Sequence, residues 1–457
     1  MIHNLKHSVG GFSQQSNKEK GHLRMPEVST FRRIMNWRGP RLKWGCMEWS
    51  LAVAGLVAIV VTVAVMKDSK QVEDTVQAWQ GEEAPLLPLV VNLTLVEAAA
   101  SKGAFCLDGT LPGYHLDQGF GSGSNSWLIH LEGGGWCNNL ASCSMRKRTH
   151  LGSSLHMEKQ IVFSGILSNK PFENPDFYNW NRVKVRYCDG ASYSGDVEDV
   201  NQEYKIFFRG QRIWKAVMED LLAKGMDKAN QGLLSGCSAG GLASFLHCDN
   251  FRELLPQQAQ VKCLGDGGFF VHKKDISGAG RIESFYNEVV TMQGVNKHLP
   301  KLCTSQMDPR RCIFPQYFLH HIGTPFFILN PAYDYWQIQN ILAPDIADPQ
   351  GLWQKCKQNI KSCTKTQLST LQDFRIEMLN AMKEFKGSKT QGMFINSCFI
   401  HCQSEMQQTW FSQDSPRLHN KTIAEAVGDW YFDRTPRQYI DCAYPCDSTC
   451  YNVIRER

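Results

Sequence analysis

A chain of 457 residues with 42% hydrophobic and 20% charged residues is an ordinary globular protein, with core enough for one large α/β domain or two smaller ones. Its net charge of +5 sits at the front: residues 1–66 hold nine Lys and Arg against three Glu, a net +6, which leaves −1 for everything after Met66. A main body this close to neutral excludes nucleic acid as a partner.

Residues 1–48 are polar and basic, with Arg32, Arg33, Arg38, Arg41 and Lys43 nearest to the uncharged stretch at 49–66. That stretch, Trp49 to Met66, would span ~27 Å as a helix, the thickness of a bilayer core. The basic flank should stay cytoplasmic, so this segment is expected to be a signal anchor that places the bulk of the chain on the lumenal side. Cleavage near Ala64 is the alternative. Residues 67–88, with Pro85 and Pro88, are expected to form a stem, and residues 89–457 an α/β domain. Asn92-Leu-Thr and Asn420-Lys-Thr are glycosylation acceptors consistent with a lumenal domain.

From Leu89 onward, short apolar runs alternate with helix-like segments, and no internal repeat or low-complexity tract interrupts them. Strands are expected at Trp127–Glu132, Val183–Cys188, Gly232–Leu234, Thr324–Asn330 and Met393–Ser397, and helices at Gln211–Lys224 and Thr366–Lys386. The alternation predicts a mostly parallel central sheet with helices on both faces, an α/β-hydrolase-like fold rich in disulfides. Of seventeen cysteines, Cys46 precedes the apolar segment and sixteen come after it, an even set suited to disulfides in an oxidising compartment. A zinc reading competes, because Cys398 and Cys402 enclose His401, and Cys442, Cys446 and Cys450 have ligand-like spacing. The scatter of cysteines from Cys106 to Cys450 favours disulfides.

In such sheets, ligands meet the carboxyl ends of the strands, and several reactive groups fall there. Gly236-Cys-Ser238-Ala-Gly240 is a G-x-S-x-G turn between a strand and a helix, a place where glycines let the two elements approach and the serine is held in a strained conformation. The Ala239 N–H opens the following helix and suits half of an oxyanion hole. Gly133-Gly134-Gly135-Trp136 ends an earlier strand, and its exposed amides suit the other half, from Gly135 or Trp136. Asp334 follows the Phe326–Leu329 run and is ringed by aromatics; it suits the orientation of an imidazole, but also a helix N-cap. His401 comes after the last convincing strand, which completes the chain order Ser238, Asp334, His401. His247 lies inside the helix after the serine and His320-His321 precede a strand, both poorer placements for a base.

Five motifs, Gly133-Gly-Gly-Trp-Cys-Asn-Asn, Tyr187-Cys-Asp-Gly-Ala-Ser, Gly236-Cys-Ser-Ala-Gly-Gly, Gly265-Asp-Gly-Gly-Phe-Phe and Cys398-Phe-Ile-His-Cys-Gln, together resemble the plant pectin acetylesterases, relatives of the animal Notum carboxylesterases. The resemblance runs from about Leu89 to the C-terminus. It implies an α/β-hydrolase fold, a Ser238–Asp334–His401 triad, an oxyanion hole around Gly135, Trp136 and Ala239, and neither metal nor organic cofactor. The implied substrate is O-acetylated homogalacturonan or rhamnogalacturonan of the cell wall. The basic extension departs from the short cleavable signal peptide usual in the family, and sets Golgi anchoring through the N-terminal helix beside secretion. A Notum-like lipid-ester deacylase and an inactive polysaccharide-binding hydrolase are the alternatives. The Arg146-Lys147-Arg148 and His272-Lys273-Lys274 runs are available to a polyanionic chain, but such runs are more often solvated surface and discriminate poorly.

Overall fold

The computed structural model describes residues 88–200, 203–435 and 438–455. The basic tail, the apolar segment at 49–66 and the stem up to residue 87 lie outside the described residues, and among those described no helix is long and apolar enough to cross a membrane. Residues Leu87–Arg457 cluster as one unit.

One sheet organises that unit. Its ten strands are β1 (Val90–Leu95), β2 (Gly113–Asp117), β3 (Ser126–Leu131), β4 (Gln160–Val162), β5 (Asn181–Val185), β6 (Gln231–Cys237), β7 (Gln260–Asp266), β8 (Phe326–Leu329), β9 (Gly392–Ile395) and β10 (Gln438–Ile440), and across the sheet they run β10-β9-β8-β7-β6-β3-β5-β2-β1-β4. Every pairing from β10 to β5 is parallel, whereas β2, β1 and β4 add an antiparallel edge. The sheet is thus mixed, and the seven strands from the β10 edge to β5 form the mostly parallel sheet expected from the α/β pattern.

Strand alternation explains why both faces are covered. Ile129, Leu234, Cys263, Ile328 and Ile395 point into one core, and their neighbours Leu128, Leu233, Leu264, Phe327 and Phe394 into another. The first core is roofed by α1 (Gly210–Ala223), α2 (Ala239–Leu254), α3 (Arg281–Met292) and α4 (Lys365–Ala381). In α1 the buried stripe is Ile213, Val217 and Leu221, spaced by four residues. The second core is roofed by α5 (Ile423–Tyr431) together with Phe177, Trp180 and Trp410.

Boundaries moved where side chains had other partners. β5 stops at Val185 rather than Cys188, because the Arg186 guanidinium turns to Glu132 and Glu158, and Cys188 is disulfide-bonded to Cys106. α4 begins on a Thr364–Gln367 capping box and ends at Ala381, where turns carry Met382 and Phe385 back into the core. All sixteen cysteines after Met66 pair, in eight disulfides. The thiols weighed for zinc are among them: Cys398 joins Cys450, Cys402 joins Cys237 and Cys442 joins Cys446. Both glycosylation acceptors are exposed, Asn92 on β1 and Asn420 in a turn at φ +63°.

Candidate active site

The parallel strands β6, β8 and β9 deliver the three predicted side chains to one edge of the sheet. Between β6 and α2, Ser238 adopts φ +57° and ψ −121°, a conformation that a non-glycine residue holds only under constraint. The constraint is visible in the glycines: a Cβ on Gly236 would lie 2.2 Å from Gly240 O, and one on Gly240 would lie 2.0 Å from Leu131 O. Only bare backbone lets strand and helix come this close. Ser238 is 6% exposed, reachable but shielded from bulk water.

Asp334 divides its two oxygens between two tasks. Oδ1 accepts from Trp336 N (2.9 Å) and Gln337 N (3.2 Å), capping the turn that follows β8. Oδ2 lies 2.8 Å from His401 Nδ1. The helix-cap role and the imidazole-orienting role, alternatives in the sequence, coexist here. A carboxylate at Nδ1 fixes the ring orientation and favours the tautomer whose Nε2 carries a lone pair. His401 Nε2 is buried without a hydrogen-bond partner among the described residues. Trp336 stacks on the ring at 6.1 Å, and Phe270 and Tyr335 flank it.

Two features absent from the sequence reading join the serine and histidine loops. The first is the Cys237–Cys402 disulfide, which links the residue before Ser238 to the residue after His401 with their Cα atoms 5.7 Å apart. The second is Asp266, at the end of β7. Its carbonyl accepts from Ser238 N (2.8 Å), while its Oδ2 accepts from Gln403 N, Ser404 N and Ser404 Oγ, each at 2.7 Å. Burial pushes the Asp266 carboxyl above the ordinary range, against the pull of those donors. Gly267 follows beneath the imidazole, where a Cβ would stand 3.2 Å from His401 Cε1 and Nδ1. Further along, Glu405 meets Lys184 on β5 and His130 on β3. Burial would raise its carboxyl, but the two bases outweigh it and hold it well below the usual carboxylate range. The Gly265-Asp-Gly-Gly motif held the signal for Asp266, although nothing local says that an aspartate there braces two loops.

The glycine run after β3 packs directly against the serine turn. A Cβ on Gly133 would sit 2.5 Å from Cys237 O and 2.9 Å from Ser238 Cβ, and Gly134 and Gly135 take φ of +138° and +67°. Trp136 and Ala239 are tied through Ser192, whose Oγ accepts from Trp136 Nε1 and donates to Ala239 O, both at 2.8 Å. Trp136, Phe270 and Trp336 meet edge to face at 5.0–5.6 Å and wall the approach to His401. The other histidines weighed as bases lie elsewhere: His247 is buried in α2 against Trp214, and the rings of His320 and His321 sit side by side, tilted by 47°. Of the basic runs, Lys147 donates to Tyr204 O and Lys273 pairs with Glu377, so neither is a loose surface cation.

A family model described as Pectinacetylesterase matches residues 87–451. Among curated proteins, pectin acetylesterase 5 of Arabidopsis thaliana is 51% identical, the match covering 90% of this chain and 96% of that protein. Pectin acetylesterase 4 of the same plant is 48% identical over 89% of this chain and 97% of its own. Among solved structures, the Wnt deacylase Notum from Drosophila superposes with a TM-score of 0.67 at 22% identity, over 80% of this chain and 100% of that one, a likeness of fold.

Proposed function

The chain belongs to the pectinacetylesterase family, and on that footing we propose that it is a serine carboxylesterase that removes O-acetyl groups from cell-wall pectin, homogalacturonan or rhamnogalacturonan, by means of Ser238, His401 and Asp334. The observation that carries the residue assignment is the Asp334 Oδ2–His401 Nδ1 contact at 2.8 Å, next to a disulfide that ends one residue from the strained Ser238. The Ser238 hydroxyl attacks the acetyl carbonyl while His401 Nε2 takes its proton. Asp334 orients the imidazole and stabilises its charged form. The tetrahedral oxyanion is met by backbone N–H groups of Ala239 and of Gly135 or Trp136. Collapse expels the sugar hydroxyl, which receives the proton back from His401. Water then repeats the sequence on the acetyl-enzyme and releases acetate.

Ser238→Ala tests this. The folded variant should release acetate from acetylated pectin at least about 10³-fold more slowly than wild type and should lose fluorophosphonate labelling. Acetate release at the original rate ends the assignment. Hydrolysis of long-chain acyl esters in preference to acetylated pectin would instead favour a Notum-like deacylase. Labelling by fluorophosphonate also separates an active enzyme from an inactive polysaccharide-binding relative. Residues 49–66 are proposed as a signal anchor that directs the domain to the secretory pathway and cell wall, on the strength of their uncharged run and basic flank. N-terminal sequencing of the mature protein separates a retained anchor from cleavage near Ala64.

A further inference from the structure

We propose that Arg146 and Tyr187 are positioning residues that aim the oxyanion-hole amides, holding the Gly135 and Trp136 N–H groups toward the carbonyl under attack. The proposal rests on the esterase reading above and concerns a part of the site that the triad does not explain. A run of three glycines has little preference for any one peptide orientation, and Gly134 and Gly135 both occupy positive φ. Something outside the run must choose the orientation.

Two hydrogen bonds make that choice. Arg146 Nη1 donates to Gly134 O at 2.8 Å, and Tyr187 Oη donates to Gly135 O at 2.9 Å. In a planar trans peptide, the carbonyl of one residue and the N–H of the next point in opposite directions. Gly134 O therefore opposes Gly135 N–H, and Gly135 O opposes Trp136 N–H. Capturing both oxygens turns both amides to the other side. Each holder thus controls one of the two donors that the sequence left as alternatives.

Arg146 and Tyr187 are themselves held. The Arg146 Nε donates to Leu151 O at 3.0 Å, and its guanidinium lies 4.9 Å above the Tyr187 ring centre. The Cys137–Cys143 disulfide staples the residue after Trp136 to the short helix Leu140–Arg146, which ends on Arg146. Tyr187 Oη accepts from Ser192 N at 2.9 Å, which leaves its own proton for Gly135 O. Burial pushes the Tyr187 phenol well above its ordinary value, so the hydroxyl keeps that proton. Arg146, read from the sequence as a surface cation available to a polyanion, spends its guanidinium on the loop.

The experiment compares kcat, KM and the affinity for a tetrahedral boronic acid inhibitor in Tyr187→Phe, Arg146→Met and Arg146→Lys. Tyr187→Phe keeps the ring and removes only the donor. Its kcat for acetate release should fall roughly ten- to a hundredfold, less than the 10²–10³ lost on deleting a donor outright, with KM changed by about twofold or less. Inhibitor affinity should weaken in proportion to kcat, because only tetrahedral species use the amides. Arg146→Met should behave alike, and Arg146→Lys should recover part of the loss. A folded Tyr187→Phe with wild-type kcat, a loss confined to KM, or unaltered inhibitor affinity would overturn the proposal. If Arg146→Met fails to fold, Tyr187→Phe decides alone. Failure of the esterase reading itself is a separate result, reported by undiminished acetate release in Ser238→Ala.

Discussion

Asp334→Asn separates the two tasks of one carboxylate. The cap on Trp336 N and Gln337 N needs only an acceptor, and asparagine serves an N-cap about as well as aspartate. The stability cost is then the lost charge at a helix start, about 0.3–1 kcal/mol. On the other side, the amide must present either its oxygen or its NH2 to His401 Nδ1. With the oxygen already capping, the NH2 faces the ring and draws the proton to Nε2, which can then no longer accept one from Ser238. The expected loss in kcat is about 10⁴, or roughly 5.5 kcal/mol in the barrier. Asp334→Ala should lose a similar factor in kcat but a further ~1 kcal/mol of stability, because the cap goes as well. Acetate release and thermal melting on both variants supply the comparison. An Asp334→Asn enzyme with kcat within about tenfold of wild type would refute the tautomer argument, and one destabilised as much as Asp334→Ala would refute the cap argument.

Other outcomes stem from the same site and its surroundings. Replacing Cys237 and Cys402 together by serine opens a loop of 165 residues, worth about 5 kcal/mol in the chain-entropy model, so both the melting temperature and kcat should fall. Unchanged kcat would show that Asp266 alone holds the two loops together. Burial lowers the His247 imidazole from its ordinary 6.5 to about 3. Below about 6.5 the unfolded chain therefore binds a proton that the folded chain refuses, and stability should decline as pH falls from there toward 3. His247→Gln removes the titrating group but keeps a donor for Tyr193 O; melting curves from pH 7 to 4 should show a shallower acid decline than wild type, and an identical slope would exclude His247 as its source.

Of the seven strands in the parallel part, β3, β5, β6, β8 and β9 were legible as short apolar-rich runs, whereas β10, with three residues, was too short to stand out. Strand β7 was missed as well; it carries Lys262 into the interior, where its Nζ is satisfied inside the second core by Trp430 O (2.8 Å) and Asp433 (3.0 Å). The antiparallel edge escaped notice for another reason, since β4 has three residues and β2 places the polar His115 in the interior, its Nδ1 on Val91 O at 3.0 Å. Ser238, Asp334 and His401 could be singled out as candidates because each follows an apolar strand on the same edge. Disulfide partners could not, since pairing depends on which loops meet in space, as Cys237 and Cys402 do across most of the fold. Arg146 and Tyr187 stood in recognised stretches, but their acceptors are main-chain oxygens, which leave no trace in side-chain composition.

The bond between Cys237 and Cys402 also ties the serine and histidine loops to the redox state around the chain. A nascent copy still in a reducing environment has its proposed nucleophile and base on loops that no covalent tether joins. Oxidation closes that gap, and oxidising compartments are where such bonds form and persist. A loss of kcat in the double-serine variant would mean that competence waits on a redox event and not on folding alone.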